Sequence, residues 1–474
     1  MNKEMTLLIY LRRGNSHKNT LRTELFPTLK SNPDLRIVIV SPMGNQPSLR
    51  SEFSSDRVVV EELPKTHRSF LENRLRNLRT YLWLSRDPPE TFRIRREKRK
   101  HEGLRGRLEV FWQDSLAAAM SRARVTETKI RDWEVRLFHR REIARLFDRY
   151  QPNAVLFTNL HSANIHMLRE ARKRNVKGIC FVQGWDNPTS KGPFSITPDH
   201  VLVWNENMRR EIVQYHDLPS EKVDVVGSPQ FDFYHDRSKF RSREAFFERY
   251  GLDPKLKLIA YCVAGGNIAR SEPEVIDLFY RAMMDGRVKF PAQLLIRLHP
   301  GTRGDYLRQF DRFKGLLRLV VQPAGRVAKI KDGWDISQDD IIRLAETMLH
   351  SDVVVNVAST ISLDAIAFDT PVIGIGFEGS VPRDYFNSYR RYYDFTHFNP
   401  VVKNGGIRVV SSLDQLIDTV NLYLENPSLD AAGRERVRRD QIYALDGKSA
   451  KRAGEATLRI LGLAADTRKL VKPS

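Results

Sequence analysis

Short β-branched runs alternate with helical stretches along most of the chain, and this alternation restricts the possible folds more than any other feature. Runs such as 35–42 (LRIVIVSP) and 153–159 (NAVLFTN) are bounded by polar and turn-forming residues. Strands that alternate with helices of about ten residues form right-handed βαβ units, in which the strands are parallel. The alternation therefore predicts an α/β protein with parallel sheets.

The length and one polar stretch predict two domains. At 474 residues the chain is too long for one compact core. A charged segment that begins near residue 230 separates two series of strands. We expect an N-terminal domain over 1–235 with a basic helical insertion at 65–149, a C-terminal domain over 236–445, and a final helix within 446–474 that returns to the first domain.

The chain is strongly basic, with 78 Lys and Arg against 58 Asp and Glu and a net charge of +20. Such an excess indicates an anionic partner. Nucleic acid is not expected, because the sequence has no RRM, zinc-knuckle or helix-turn-helix signature. Leucines recur at helical spacing with arginines between them, at positions 71, 75, 78 and 82. This is typical of a basic interfacial helix, so we expect an anionic membrane surface to bind through 65–107; a solvated helical face is the alternative.

Cysteine usage and hydropathy favour a cytoplasmic protein that is peripheral to the membrane. Cys180 and Cys262 both lie in apolar runs, which favours buried thiols in a reducing compartment. The apolar run near the N-terminus, LLIYL, is shorter than the apolar region of a signal peptide. No run approaches 18 apolar residues, so the sequence predicts no transmembrane helix.

Three strand ends in the second domain carry residues suited to a phosphate site. Ligands of open parallel sheets bind outside the carboxyl ends of strands. Gly265 and Gly266 follow AYCVA and allow a close backbone approach. His299, after LLIRL, is a candidate phosphate donor, and Ser359 with Thr360 opens a helix whose free amides favour anions. The alternatives are an ordinary turn, a structural histidine and a helix cap.

Two carboxylates near these strand ends are further candidates for donor binding. Asp364 lies one turn into the helix that Ser359 opens, as a helix-dipole partner or a ligand contact. Glu378 follows the strand PVIGIGF, where a carboxylate can bind ribose or sugar hydroxyls.

The first domain offers a dense polar loop, FVQGWDNPTSKG, at residues 181–192. Asp186 is a candidate general base, and His161, which follows another strand, competes with it. The other side chains are expected to bind an acceptor: Gln183, Trp185, Asn187, Ser190 and Lys191. An ordinary Asp-Asn-Pro turn is the structural alternative. We expect no metal site, because neither a D-x-D triplet nor Cys/His ligand spacing occurs.

These motifs together resemble a known superfamily. Two Rossmann-like domains with a terminal helix that crosses back look like the GT-B glycosyltransferases. His299-Pro300 followed by Ser359-Thr360 resembles CDP-glycerol glycerophosphotransferases and the HP-motif sialyl- and Kdo-transferases. The loop GWDNPTSKG and the late segment ALDGKSAKR (444–452) are similar to segments of bacterial capsule and surface-carbohydrate proteins in that group.

The resemblance implies a metal-independent transferase without a cofactor. It would move a sugar or a polyol phosphate from a nucleotide-linked donor on the second domain to a lipid-linked or polysaccharide acceptor on the first. Two alternatives stay open: an enzyme like the non-hydrolysing UDP-sugar 2-epimerases, and a non-catalytic GT-B scaffold in polysaccharide assembly.

Overall fold

A computed structural model describes residues 4–12, 14–158, 165–265, 268–323 and 338–464. The chain divides into two compact units. Unit 1 contains Met1–Pro229 and Lys448–Ser474, and unit 2 contains Gln230–Gly447. The division lies six residues before the boundary expected after residue 235.

Unit 1 is built on a parallel sheet that, among the described residues, has seven strands in the order β3-β2-β1-β4-β5-β6-β7. Its elements before the insertion are β1 (Met5–Tyr10), α1 (Gly14–Leu21), α2 (Leu25–Lys30), β2 (Leu35–Ser41), α3 (Pro47–Phe53) and β3 (Val58–Glu62). β1 and β2 are almost entirely buried, as expected for strands covered by helices on both faces.

Five helices form the insertion between β3 and β4. They are α4 (Phe70–Leu84), α5 (Glu90–His101), α6 (Leu104–Arg122), α7 (Glu127–Leu137) and α8 (Arg141–Tyr150). A capping box fixes the start of α4, since Ser69 and Glu72 each accept a backbone N–H of the other. The five helices lie between Phe70 and Tyr150, where the sequence predicted a helical insertion at 65–149.

The unit 1 sheet then resumes and ends near Pro229. The elements are β4 (Ala154–Phe157), α9 (Ile165–Lys173), β5 (Lys177–Phe181), α10 (Asn187–Ser190), β6 (His200–Val203), α11 (Glu206–His216), β7 (Val223–Val225) and the single turn α12 (Pro229–Asp232).

Buried ion pairs connect the insertion to α9. Arg79 of α4 pairs with Glu134 of α7, and Arg169 of α9 pairs with Glu72 of α4. All four side chains are at most 2% exposed. Taking charges out of water is costly, and these side chains compensate one another as a network, since Arg169 also lies 3.4 Å from Glu134 and Arg140 pairs with Glu72.

Three of the four leucines in the predicted stripe of α4 pack inside the protein and do not face a membrane, whereas Leu71 is 51% exposed. Leu75 and Leu82 are buried with Ile130 of α7 in an apolar cluster, and Leu78 packs against them. Trp83 is buried as well, and its Nε1 donates to the carbonyl of Tyr215 at 2.6 Å. The helical spacing did identify an apolar face, but that face packs on neighbouring helices.

The basic run in α5 is largely neutralised by carboxylates. Arg93 pairs with Asp87 and Arg96 with Asp114. Arg99 pairs with both Glu102 and Glu109, and Lys98 and Lys100 also have acidic partners. Exposed pairs of this kind contribute little stability, but they do cancel local charge.

Unit 2 repeats the same sheet order with six strands in its described part, β10-β9-β8-β11-β12-β13, all parallel. Its first half contains α13 (Arg243–Tyr250), β8 (Lys257–Cys262), α14 (Glu272–Met284), β9 (Ala292–Arg297), α15 (Gly304–Arg308) and β10 (Leu319–Gln322). Its second half contains α16 (Gln338–His350), β11 (Val353–Asn356), α17 (Ile361–Ala367), β12 (Val372–Ile375), α18 (Arg390–Tyr393), α19 (Asn399–Lys403), β13 (Arg408–Val410), α20 (Leu413–Glu425) and α21 (Ala431–Val437).

The last helix, α22 (Ser449–Leu461), belongs to unit 1. Its apolar face joins the core around β1 and β2 through Ala450, Ala453 and Ala456. Arg452 donates from Nε to the carbonyl of Val226 at 2.9 Å. The segment ALDGKSAKR therefore anchors α22 to the end of the unit 1 sheet.

Both cysteines are buried free thiols, and burial raises the pKa of Cys262 to about 12. None of the helices in the described ranges is both long and apolar enough to cross a bilayer.

Candidate functional site

The carboxyl edge of the unit 2 sheet brings together the turns that follow β8, β9 and β11. β8 lies between the other two, with Cys262 in register with both Arg297 and Asn356. The strand order reverses between β8 and β11, which is where doubly wound sheets bind ligands. The sequence-predicted residues Gly265, His299 and Ser359 follow these three strand ends.

Gly265 and His299 are in direct proximity. Gly265 has φ +93°, a conformation that side chains strongly disfavour. A Cβ at this position would lie 3.2 Å from Nδ1 of His299. The turn after β8 therefore requires glycine both for its backbone and for the space that the imidazole occupies.

The protonation of His299 suits a neutral hydrogen-bond donor. Its Nδ1 accepts from the backbone N–H of Gly301 at 3.0 Å, so a neutral ring carries its proton on Nε2. Burial lowers the pKa of His299 below its ordinary value, and the charge of Arg297 lowers it further. At neutral pH the imidazole is accordingly uncharged, with Nε2–H as a donor.

Ser359 and Thr360 lie partly exposed between β11 and α17. The Ser359 Oγ accepts from the backbone N–H of Ile361 at 3.3 Å, a long contact. Ser362 fixes the start of α17 by donating to Asn356 Oδ1 at the end of β11. α17 has only seven residues, so its helix dipole is short. For holding an anion at this turn, the side-chain hydroxyls therefore matter more than the dipole.

The two predicted carboxylates have partners within unit 2. Asp364 is buried, and its Oδ1 accepts from Gln230 Nε2 at 2.7 Å and from the Tyr234 hydroxyl at 2.9 Å. Glu378 accepts from the backbone N–H of Tyr389, and burial raises its pKa. The contacts of Asp364 favour a role in fixing α17 to the preceding segment over a ligand contact.

Glu272 contacts the turn after β8, and the sequence did not identify it. It is fully buried at the start of α14 and accepts from the N–H of Ala264 at 3.0 Å and from the Tyr306 hydroxyl at 3.1 Å. Burial raises its pKa to about 8. Glu272 thus fixes the turn that contains Gly265. A glutamate at a helix start was the available signal, but its contact with Tyr306 is long-range.

In unit 1 the predicted polar loop folds around the short helix α10. Asp186 Oδ2 accepts from the Ser190 hydroxyl at 2.5 Å and lies 3.3 Å from the Lys191 ammonium. Gln183 donates to the Thr20 hydroxyl of α1 at 3.0 Å, and Trp185 is buried. Asn187 belongs to α10, and its side chain lies close to Gly184.

The insertion supports this loop. Arg95 of α5 donates to the carbonyl of Ser190 at 2.6 Å, and Arg131 of α7 donates to that of Phe194 at 3.3 Å. His216 at the end of α11 makes a 2.7 Å contact with the carbonyl of Pro188. The loop is therefore held from three helices.

A second carboxyl group, on Glu211 of α11, lies within electrostatic reach of Asp186. Burial and, to a smaller extent, the charge of Asp186 raise the pKa of Glu211 to about 8. Its Oε2 is buried and has no hydrogen-bond partner among the described residues. A carboxyl group that keeps its proton near a second carboxyl group is suited to acid–base chemistry. Sequence reasoning missed Glu211 because it lies 25 positions from Asp186.

The turn after β1 adds polar groups to the same edge of unit 1. His17 is buried in α1 and its Nε2 lies 2.7 Å from the Ser41 hydroxyl at the end of β2. Thr158, after β4, donates to the Ser16 hydroxyl at 2.9 Å. The stretch GNSHKNT at 14–20 was the available signal. The predicted residues His161 and Gly266 lie outside the described residues.

Comparison with known proteins identifies the class of fold. No family model matches the chain, and no curated protein matches its sequence. Solved structures do match over nearly the full length, and they share two Rossmann-like domains of GT-B type. The predicted fold class, an α/β protein with two such domains and a basic helical insertion in the first, is confirmed.

Three solved structures illustrate the likeness. The first is S. aureus MnaA with UDP, at 12% identity, a TM-score of 0.57 and 99% coverage of both chains. The second is a UDP-GlcNAc 2-epimerase from Methanocaldococcus jannaschii, at 12% identity and a TM-score of 0.54, covering 97% of this chain and 100% of that one. The third is a glycosyltransferase from Rickettsia africae, at 12% identity and a TM-score of 0.54, covering 98% and 100%. At such identities the likeness concerns the fold.

Proposed function

We propose that the chain is a GT-B-type enzyme that binds a nucleotide-activated sugar, or a nucleotide-activated polyol phosphate, on unit 2 and transfers the activated group to an acceptor hydroxyl. The observation that supports this most is the contact of Gly265 with His299 where the strand order of unit 2 reverses. A glycine turn beside a neutral imidazole donor suits a diphosphate.

On the donor side, each group has a distinct task in this proposal. The Nε2–H of His299 donates to a phosphate oxygen, and the hydroxyls of Ser359 and Thr360 donate to the same diphosphate. Charge develops on the leaving phosphate as the bond to the transferred group breaks: a nucleoside diphosphate leaves when a sugar is transferred, and a nucleoside monophosphate leaves when a polyol phosphate is transferred. Donors held in place before the reaction stabilise that charge. Asp364 and Glu378 stay candidates for donor contacts.

On the acceptor side, Asp186 is the proposed general base. Its carboxylate is fixed by Ser190 and Lys191, which orient it without burying it completely. An ionised aspartate can take the proton of an acceptor hydroxyl as that oxygen attacks the donor. Gln183, Trp185 and Asn187 line the rest of the proposed acceptor loop, and His161 remains the competing base.

A nucleotide panel tests the donor site. Ligands stabilise the folded state that binds them, so thermal shift with CMP, CDP, UDP, GDP and dTDP should show at least one diphosphate that raises Tm. The double change Ser359→Ala with Thr360→Ala should weaken binding of that diphosphate by about tenfold or more, because two hydrogen bonds to a charged group are lost. Unchanged affinity and turnover would remove both hydroxyls from the site.

A matched control exists at another strand-to-helix turn of unit 2. Ser411 and Ser412 follow β13 and precede α20, whose start Ser412 caps. Ser411→Ala with Ser412→Ala should cost about 1 kcal/mol of stability through the lost cap and leave diphosphate affinity unchanged.

A second candidate, a UDP-sugar 2-epimerase, is favoured by solved structures that share the fold. One of them is a UDP-GlcNAc 2-epimerase by name, and another is a complex with UDP. The paired carboxyl groups of Asp186 and Glu211 also suit removal and return of a proton. Incubation with UDP-GlcNAc alone separates the candidates: an epimerised nucleotide sugar without acceptor supports the epimerase, and dependence on an added acceptor supports the transferase.

The finer parts of the proposal concern the acceptor. The resemblance to CDP-glycerol glycerophosphotransferases and capsule proteins supports a bacterial surface glycan, lipid-linked or polymeric, built near an anionic membrane. A non-catalytic scaffold is the remaining alternative, and failure to bind any nucleotide in the panel would favour it.

A further inference from the structure

Helix α6 is apolar on two opposite faces, and only one of them is buried. Gly106, Val110 and Ala117 face the neighbouring helices of the insertion. At Gly106 the approach is so close that a Cβ would lie 1.9 Å from the carbonyl oxygen of Arg99 in α5. This packed face fixes α6 on the insertion and determines which face points outward.

The outward face is a stripe of large apolar side chains. These side chains are between 41% and 72% exposed, and we call them the α6 stripe: Leu104, Leu108, Phe111, Trp112 and Leu116. On a helical wheel that advances about 100° per residue, all five project within about 80° of Leu108. Contiguous exposed apolar surface of this kind marks a site of association with a protein or a membrane.

The charge around the α6 stripe is positive. α6 has two acidic residues, and both are paired with arginines of α5, Glu109 with Arg99 and Asp114 with Arg96. Arg105 and Arg107 are exposed and form no ion pair with any described residue. Arg105 projects about 60° from Leu108, within the stripe, and Arg107 about 100° to the other side, just beyond its edge.

The other end of α6 has the same character. Arg122 and Arg124 are exposed and also have no acidic partner within the described ranges. Uncompensated arginines therefore lie at both ends of the stripe. This contrasts with α5, whose longer basic run is balanced by carboxylates.

We propose that the α6 stripe docks on an anionic lipid surface. The aromatic and leucine side chains enter the boundary between head groups and acyl chains, and the four arginines contact lipid phosphates. A helix with Trp, Phe and Leu on one face and arginines beside it has the composition of an interfacial helix. The inference concerns a surface of unit 1 and does not depend on which reaction the enzyme catalyses.

Charge distinguishes this partner from a second copy of the chain. If two α6 stripes overlap in antiparallel orientation, Arg105 and Arg107 of each copy lie beside Ser115 and Gln113 of the other, so a second copy brings no unpaired carboxylate to these arginines. A parallel pair places identical arginines together. Neither arrangement compensates the arginines, whereas an anionic surface complements them.

Vesicle sedimentation of the full chain tests the apolar part. We expect binding to vesicles of phosphatidylcholine mixed with phosphatidylglycerol, and much weaker binding to phosphatidylcholine alone. Phe111→Ser with Trp112→Ser should weaken binding by about tenfold or more, since both anchors are lost. The control Leu317→Ser with Val381→Ser, two exposed apolar residues of unit 2, should bind as the unchanged chain does.

A second pair of variants tests the charge. Arg105→Glu with Arg107→Glu should weaken binding to anionic vesicles by about tenfold or more. Added salt should likewise weaken the binding of the unchanged chain to these vesicles. Arg145→Glu with Arg172→Glu makes the same change in net charge on exposed positions of α8 and α9 and should have a much smaller effect. Circular dichroism and the nucleotide thermal shift verify that each variant is folded.

Two results would overturn the inference. One is equal binding by the unchanged chain and the Phe111→Ser/Trp112→Ser variant, or no binding by either. The other is a dimer of the unchanged chain in light scattering that this variant converts to monomer, with no competition from vesicles; the stripe would then be an interface between copies. Intact nucleotide binding in either case leaves the proposed enzymatic function standing.

Discussion

The two units share a strand order but assemble their polar edges in different ways. In unit 2 the candidate residues follow the strands directly, with Gly265 after β8 and His299 after β9. In unit 1 they are brought together by separate helices, with Asp186 beside α10, Glu211 on α11 and Arg95 on α5. The difference shows that strand ends alone can bring polar groups together at one edge of a sheet, whereas the unit 1 edge depends on tertiary packing with the insertion.

The largest expected effect tests that dependence. Arg79→Met leaves buried Glu134 with only its longer contact to Arg169, at 3.4 Å, and breaking a buried pair in this way costs about 3–5 kcal/mol. Arg281→Met, which removes the exposed partner of Asp277 on α14 of unit 2, should cost at most about 0.5 kcal/mol. Urea unfolding of both variants measures the difference. Equal losses would mean that the buried pairs do not hold the insertion in place.

The next largest effect separates the tasks of the two edges. His299→Ala should weaken binding of the diphosphate that raises Tm. It should also lower turnover by about 100-fold, because a hydrogen-bond donor to the developing charge is lost. Asp186→Asn should lower turnover to a similar degree while the diphosphate Kd stays unchanged, since only the proposed base is removed. Calorimetry and single-turnover rates provide both quantities. A change of diphosphate Kd in Asp186→Asn would contradict the division of tasks.

A smaller effect compares two glycines with nearly the same backbone conformation. Gly265 has φ +93° and Gly192 has φ +89°, but only Gly265 would bring a Cβ against His299. Alanine at either position should cost about 1–2 kcal/mol of stability through backbone strain. Diphosphate affinity should fall on the order of tenfold in Gly265→Ala alone, because His299 must shift. Equal affinities in the two variants would separate His299 from the ligand.

The sequence was sufficient for the features that depend on local order. Alternating runs predicted the parallel sheets, and strand ends identified Gly265, His299 and Ser359 as candidates at the carboxyl edge of unit 2. It was misleading about apolar helix faces, because the same spacing of leucines occurs in a face that packs on other helices and in a face that is exposed. Most leucines of the α4 stripe pack inside the insertion, while the exposed stripe lies on α6. It missed Glu272 and Glu211, because the partners that give these carboxyl groups their environment come from distant parts of the chain.

A pH-dependent effect concerns these two buried glutamates, one in each unit. The pKa of Glu211 rises from 4.5 to about 8 on folding, mainly through burial. Between these two pH values the folded chain retains a proton that the unfolded chain releases, so this contribution to stability is complete below pH 4.5 and is lost as pH rises through about 8. Glu211→Gln should remove that decline, as measured by urea unfolding across this pH range.

Glu272 provides the matched comparison, because burial raises its pKa to about 8 as well. The two differ in hydrogen bonding: Glu272 accepts from Ala264 and Tyr306, whereas Oε2 of Glu211 has no partner among the described residues. Glu272→Gln should therefore flatten the pH dependence and also cost about 1–2 kcal/mol at every pH, since one of the two carboxyl oxygens that accept is replaced by an amide nitrogen, which only donates. If Glu211→Gln also lowered the free energy of unfolding by about 1–2 kcal/mol at every pH, its carboxyl group would have a hydrogen-bond partner. The contrast between the two edges would then disappear.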